Sequence, residues 1–224
     1  AALCQAGIPC GRHRVARLMR KNGLTACQKR RKRPLTTKPG PGPVAANVLD
    51  RAFTATRPNE KWVTDITYID TWEGWLYLAV VIDLYSRKVV GWSMGKRLVS
   101  ALVRDALQMA LWRRRPPKGQ LIHHSDRGSQ YASKAFRRLL KAHGIEGSMS
   151  RKGDCWDNAV VESFFGSLKQ ERVQWRNYQS RYEAQQDILE YISMFYNSHR
   201  LHSYIGYMSP NDYEQQLTET KKAA

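Results

Sequence analysis

Three acidic residues, one of them where acids are uncommon, have a spacing that suits phosphoryl transfer. Asp65 interrupts a strand-like run, Lys61-Trp-Val-Thr-Asp-Ile-Thr-Tyr-Ile69, although acids are depleted from strands. Asp126 ends a second apolar stretch, Leu121-Ile-His-His-Ser-Asp-Arg-Gly128, and Glu162 lies in Asp157-Asn-Ala-Val-Val-Glu-Ser-Phe-Phe165, which reads as the start of a helix. A strand acid, a strand-end acid and a helix acid can hold two Mg²⁺ ions, which prefer oxygen ligands and keep several waters. Two ions about 4 Å apart activate an attacking oxygen, stabilise a leaving oxygen and orient an in-line displacement. Asp65 would bridge both ions, with Asp126 on one and Glu162 on the other. Mn²⁺ is expected to substitute, and no small-molecule cofactor is implied.

Each acid also has an ordinary reading. Asp126-Arg-Gly is a good turn, with the carboxylate bonding its own backbone, and a lone Glu162 suits a solvated helix face. Asp65 resists this treatment, because Val63, Ile66 and Ile69 around it read as buried and a buried carboxylate without partners is costly. At about 100° per residue, Glu162, Gly166 and Lys169 share one helix face, beside an apolar face of Val161, Phe164, Phe165 and Leu168. Lys169 is therefore a candidate phosphate contact. Asn158, one turn before Glu162, either touches DNA, orients a ligand or caps the helix. The polar loop after Ser148 offers Arg151 and Lys152 to phosphates, while Trp156 is expected to pack that loop onto the core.

The substrate class follows from charge. The chain has 37 Lys and Arg against 19 Asp and Glu, a formal charge of +18 over 224 residues, which points to a polyanionic partner. The longest apolar run, Leu76 to Ile82, is far short of the ~20 residues of a membrane span, and no secretory signal pattern opens the chain. Nucleic acid in a cytosolic setting is therefore favoured. Cys4, Cys10, Cys27 and Cys155 form no C-x-x-C pair, and His199 and His202 lack an accompanying cysteine pair, so reduced thiols are favoured over zinc.

The elements that must position these groups can be placed in order. Residues 1–27 read as part of a helix-turn-helix-like module. Its helix over 11–22 has an apolar stripe of Val15, Leu18 and Met19 and a basic face with Arg12, Arg14 and Arg17. The first residues look like the middle of a longer segment, so an N-terminal portion is expected to be missing. Residues 28–56 read as a basic, Pro/Gly-rich linker in which Lys29, Arg30 and Arg31 would lie along phosphates. A main domain over 57–216 begins with strands at 61–70, 76–84 and 88–94. A helix (100–113), a strand (120–124), a helix (133–143), a short strand (145–149) and a helix (157–171) follow. A long helix at 180–197 has Ile188, Leu189, Ile192 and Phe195 at helical spacing, and 217–224 is left as a tail. Three antiparallel strands followed by alternating helix and strand describe an α/β, ribonuclease H-like mixed sheet flanked by helices.

Several segments resemble a known family. His124-Ser-Asp-Arg-Gly-Ser-Gln-Tyr131, Asp157-Asn-Ala-Val-Val-Glu162, Tyr196-Asn-Ser-His-Arg-Leu-His-Ser203, Gly206-Tyr-Met-Ser-Pro210 and Trp62-Val-Thr-Asp-Ile-Thr-Tyr68 together resemble the bacterial insertion-sequence transposases of the "insertion sequence three" family. The resemblance implies an integrase-like catalytic core with a DDE triad at Asp65, Asp126 and Glu162, and the family's basic residue seven positions past the glutamate at Lys169. It implies metal-dependent cleavage at element ends and 3′-OH strand transfer into double-stranded DNA, by a homo-oligomer assembled on DNA. Two other functions compete. A ribonuclease H-type nuclease would hydrolyse and stop; such enzymes add a carboxylate from the first helix, where this chain offers only Asp105. A truncated DNA-binding regulator would inhibit transposition without catalysis.

Overall fold

A computed structural model of the chain describes residues 1–25, 44–151 and 154–223. Its centre is a five-stranded sheet in the order β3-β2-β1-β4-β5, formed by β1 (Lys61–Ile69), β2 (Leu76–Asp83), β3 (Val89–Gly95), β4 (Ile122–Ser125) and β5 (Glu146–Met149). The first three strands form an antiparallel meander, while β4 pairs parallel to β1 and to β5. Strand β2 is apolar at almost every position because both faces of the sheet are covered. Leu78, Val80 and Ile82 join one core with Val161, Phe164 and Ile188, whereas Ala79 and Val81 join the other with Leu102, Ala106 and Leu107.

The helices that cover these faces are α3 (Ser100–Arg114) and α4 (Lys134–Ala142) on one side, and α5 (Ala159–Glu171) and α6 (Arg181–Glu190) on the other. They follow the N-terminal α1 (Ala2–Gln5) and α2 (Arg12–Lys21). Helix α3 lies so close to β3 that a Cβ on Gly91 would come within 2.3 Å of the Ala106 carbonyl oxygen. Ser133 and Ser180 cap α4 and α6 by accepting from the amides of Phe136 and Glu183, at 3.2 and 3.1 Å. These bonds satisfy amides that have no partner inside the helix.

Three differences from the sequence reading have physical causes. Residues 44–56, assigned to the linker, pack on the sheet edge: Leu49 is buried in the core, and the amides of Val48 and Leu49 both donate to Ser148 Oγ. The expected helix at 180–197 is α6 followed by a π-helical segment, Tyr191–Tyr196. The wider turn brings Tyr191 and Tyr196 into the core with Ile188 and Ile192 and leaves Leu189 and Phe195 exposed. It also sets Asn197 to donate to the Val89 carbonyl and accept from the Val89 amide, both at 3.0 Å, so a side chain extends the ladder of β3. The stretch left as a tail continues α7 (Pro210–Ala223). This helix docks through Glu214, which accepts from Arg114 at 2.7 and 2.8 Å and from Lys88 and Ser86. Arg114 also reaches the fully buried Asp83 at 3.1 Å. No helix among the described residues is long and apolar enough to cross a membrane.

Candidate active site

Strand register brings the first two acids together. Lys61, Trp62 and Val63 of β1 stand beside Ile122, His123 and His124 of β4, and continuing that offset by two residues sets Asp65 level with Asp126. Strand alternation sends Asp65 to the same face as Val63, which packs against α5. That helix carries Glu162. The Asp65 carboxyl accepts from the Ile66 amide at 2.7 Å, yet its pKa lies well above the usual carboxylate range. Burial is the first cause, followed by the negative charge of Asp126; Glu162 adds to the rise, and Lys169 opposes it. Surface exposure places Asp65 as half-buried, so the rise reflects crowding by protein and like charge more than a sealed interior.

Asp126 sits in the turn that its sequence suggests. Its Oδ1 accepts from the Gly128 amide at 2.9 Å, and burial raises its pKa despite that bond. A Cβ at residue 128 would meet the same Oδ1 at 2.9 Å and Gln130 Oε1 at 3.1 Å, so glycine permits the carboxylate to lie over its own turn. Beneath it, Tyr131 is buried, with its hydroxyl 3.3 Å from Thr64 Oγ1; burial first, then Asp65 and Asp126, push its pKa well up. Gly128 and Tyr131 were not singled out from sequence. The Asp-Arg-Gly spacing carried a signal for the glycine, whereas only the fold shows the tyrosine.

Glu162 is exposed on α5. The helix is anchored by Asn158, which is 4% exposed and donates through Nδ2 to the Thr64 carbonyl at 3.1 Å. The Asn158 Nδ2 is thus engaged one residue before Asp65, while its Oδ1 is buried without a partner among the described residues. Asp157 is also internal. It accepts from Arg151 at 3.0 and 3.1 Å and from Arg51 at 2.9 Å, and these bonds, led by Arg151, hold its pKa far below the usual range. Arg151, expected on phosphates, is thus engaged by Asp157 and also pairs with Asp50 at 3.2 Å. Trp156 does not pack onto the core; it is 69% exposed.

Lys169 lies on the same helix face as Glu162, and its ammonium sits 5.0 Å from the centre of the Tyr68 ring. Arg12, Arg14 and Arg17 are exposed on α2. Lys29, Arg30, Arg31 and Lys152 lie outside the described residues. Asp105 is exposed on α3. Among the described residues, no three His, Cys, Asp or Glu side chains are gathered tightly enough to grip a metal ion as they stand. The donor set of Asp65, Asp126 and Glu162 is nonetheless all oxygen and mutually repulsive, and a hard divalent cation relieves such repulsion.

Comparison with known proteins agrees with this geometry. Residues 55–155 and 162–217 each match an integrase core domain, and residues 1–33 match an HTH-like domain. The chain is 48% identical over 208 residues to the transposase InsF for insertion sequence IS3A of Escherichia coli (strain K12), covering 93% of this chain and 72% of that protein. It is also 48% identical over 208 residues to an insertion element IS600 uncharacterized 31 kDa protein of Shigella sonnei, covering 93% and 76%. Among solved structures, the catalytic core domain of BIV integrase superposes with a TM-score of 0.51 at 19% identity, over 73% of this chain and 99% of that one. The simian T-cell lymphotropic virus intasome, in complex with PP2A regulatory subunit B56 gamma, gives 0.52 at 20%, over 85% and 67%. With an integrase-type sheet, its acids at adjoining strand positions, and close sequence relatives among the insertion-sequence enzymes, the chain belongs to the IS3 family of transposases.

Proposed function

We propose that Asp65, Asp126 and Glu162 form the catalytic triad of this transposase and hold divalent metal for DNA cleavage and 3′-OH strand transfer. The observation that carries the reading is the strand register that sets Asp65 level with Asp126, on the face covered by the helix that bears Glu162; the raised proton affinity of Asp65 agrees with it. A half-buried carboxylate pressed by two more is unfavourable for a scaffold and useful for cation binding. Mg²⁺ is the favoured ion; a related core fold, the HTLV-2 integrase catalytic core domain, has been solved in complex with magnesium. Bound there, metal would supply Lewis-acid activation of the attacking oxygen and charge neutralisation at the leaving oxygen.

The chain's own residues supply the frame. Asp65 is fixed by its central strand, Asp126 by the Gly128 amide, and α5 by Asn158, while Glu162 on its exposed helix face swings inward to complete the set. Lys169 offers a cation for a phosphate beside the acids. Each chemical step exchanges one P–O bond for another. An oxygen of water, or of the freed 3′-OH, attacks phosphorus, and the displaced 3′-oxygen departs with a proton. Double-stranded DNA is both donor and target, and cutting two ends in concert calls for a homo-oligomer on DNA. The basic α2 contributes non-specific phosphate contacts through Arg12, Arg14 and Arg17, as do Lys29, Arg30 and Arg31 of the basic run.

The test is a strand-transfer assay with oligonucleotides carrying element ends, a plasmid target and Mg²⁺. Joined product is the expected outcome. Hydrolysis without joining would assign the site to a nuclease, and tight DNA binding without either reaction would assign the chain to the regulatory class.

A further inference from the structure

Two exposed aromatic rings lie beside a lysine of the helix that bears Glu162. Lys169 lies two turns beyond Glu162 on the same face of α5, and its ammonium lies 5.0 Å from the Tyr68 ring. Trp75 meets Tyr68 edge-to-face, with centroids 5.1 Å apart and planes at 78°. Tyr68 stands opposite Tyr77 in the β1–β2 ladder, so Trp75 is its diagonal neighbour. Pairing of β1 with β4 is registered only as far as Val63, so Tyr68 lies beyond that ladder. Tyr68 is 41% and Trp75 47% exposed, so neither ring is committed to a core.

The hairpin that carries Trp75 is held firmly. Arg181, at the start of α6, donates from its backbone amide to Glu73 Oε2 at 2.9 Å, from Nε to the Trp75 carbonyl at 3.0 Å, and from its guanidinium to the Glu73 carbonyl. The Trp72 amide donates to the Tyr178 carbonyl at 3.1 Å. Gly74 takes a φ of +97°, which admits this close return of the chain.

We propose that Tyr68 and Trp75 form a stacking platform for an unpaired base of the DNA end being cut, with Lys169 on the adjoining phosphate. The occupant is DNA rather than a second protein because a lysine from the helix that bears Glu162 lies against Tyr68, and the chain carries a charge of +18. The base must be unpaired, since a ring face is presented only by a base that has left the duplex stack. Aromatic stacking of this kind is tolerant of sequence. It would hold the end open and keep the scissile phosphate at the acids. The proposal rests on the DNA-cutting reading of the site.

The experiment uses a duplex with a three-nucleotide overhang containing 2-aminopurine, bound by the full chain in Ca²⁺ and followed by fluorescence and anisotropy. Wild type should quench the probe. Tyr68→Ala and Trp75→Ala should abolish the quench and weaken overhang binding by about fivefold to a hundredfold, with blunt-duplex affinity and its salt slope unchanged. Tyr68→Phe should behave as wild type, because the ring and not the hydroxyl stacks, and it controls for folding. An unaltered quench in both alanine variants would overturn the platform. So would an equal loss on blunt duplex, or a change in sedimentation with no change in quench, which would assign the rings to a contact between copies. Strand transfer by wild type, run in parallel with Mg²⁺, separates the two readings. A Tyr68-dependent quench in an inactive protein would sink only the enzyme reading, and an active protein without the quench would sink only the platform.

Discussion

The side-chain amide of Asn158 donates to the carbonyl of Thr64 at 3.1 Å, fastening the start of α5 to β1 one residue before Asp65. The bond lies just past Val63, where the registered pairing of β1 with β4 stops. A carbonyl beyond the ladder thus becomes the anchor of the helix that carries Glu162. Replacing Asn158 by Ala should lower kcat for strand transfer by about tenfold to a hundredfold, the penalty of an ångström-scale misplacement. DNA affinity should change less than about twofold. Parallel rate and anisotropy measurements check this; an equal loss in both would mean that Asn158 contacts DNA after all.

Gly128 makes a sharper demand. Because a Cβ there would sit 2.9 Å from Asp126 Oδ1, Gly128→Ala must displace the carboxylate or break its bond to the backbone amide. Joining activity should fall by at least about tenfold, with a shift in melting temperature of only a few degrees. Activity near wild type would show that Asp126 need not lie over its turn.

The reach of sequence reasoning was set by how local each signal is. Apolar periodicity located all five strands and the helices that cover them, and the unusual placement of Asp65 marked the site. Non-local partners were invisible. Nothing in the string around Asn158 says that its amide meets Thr64, or that Asp157 draws in Arg151 and Arg51. Glu214 was set within the main domain without a role, since its partner Arg114 lies a hundred residues away. The long helix was misread in its second half because a π-helical segment rotates the buried face without any proline or glycine to announce it.

The Arg114–Glu214 pair makes α7 part of the core. Both side chains are mostly buried, at 16% and 15% exposed, and Glu214→Ala takes a carboxylate from Arg114, Lys88 and Ser86, leaving Arg114 with Asp83 alone to balance its charge. Stability should drop by about 3 kcal/mol, read from urea unfolding. A change below about 0.5 kcal/mol would mean that α7 is a surface appendage.

Acid should weaken the fold through His202. Burial first, then the charges of Arg200 and Arg87, lower its pKa to about 4, from about 6.5 in an unfolded chain. Between these values the unfolded state binds more protons, so stability is full above about pH 6.5 and falls as pH drops towards 4. The melting temperature of wild type should therefore decline from pH 7 to pH 5, by about 2–4 °C for each kcal/mol lost. In His202→Asn the decline should be shallower. Identical slopes would place the acid sensitivity elsewhere.

The central claim is that three acids act as one metal-dependent transesterase. A branched DNA mimicking a joined end, incubated with Mg²⁺ or Mn²⁺ and run on a denaturing gel, tests it most directly. Wild type should reseal the branch, and Asp65→Asn, Asp126→Asn and Glu162→Gln should each lose at least about a thousandfold of that rate while remaining folded. Resealing that survives in any of the three would remove that residue from the triad and contradict the account.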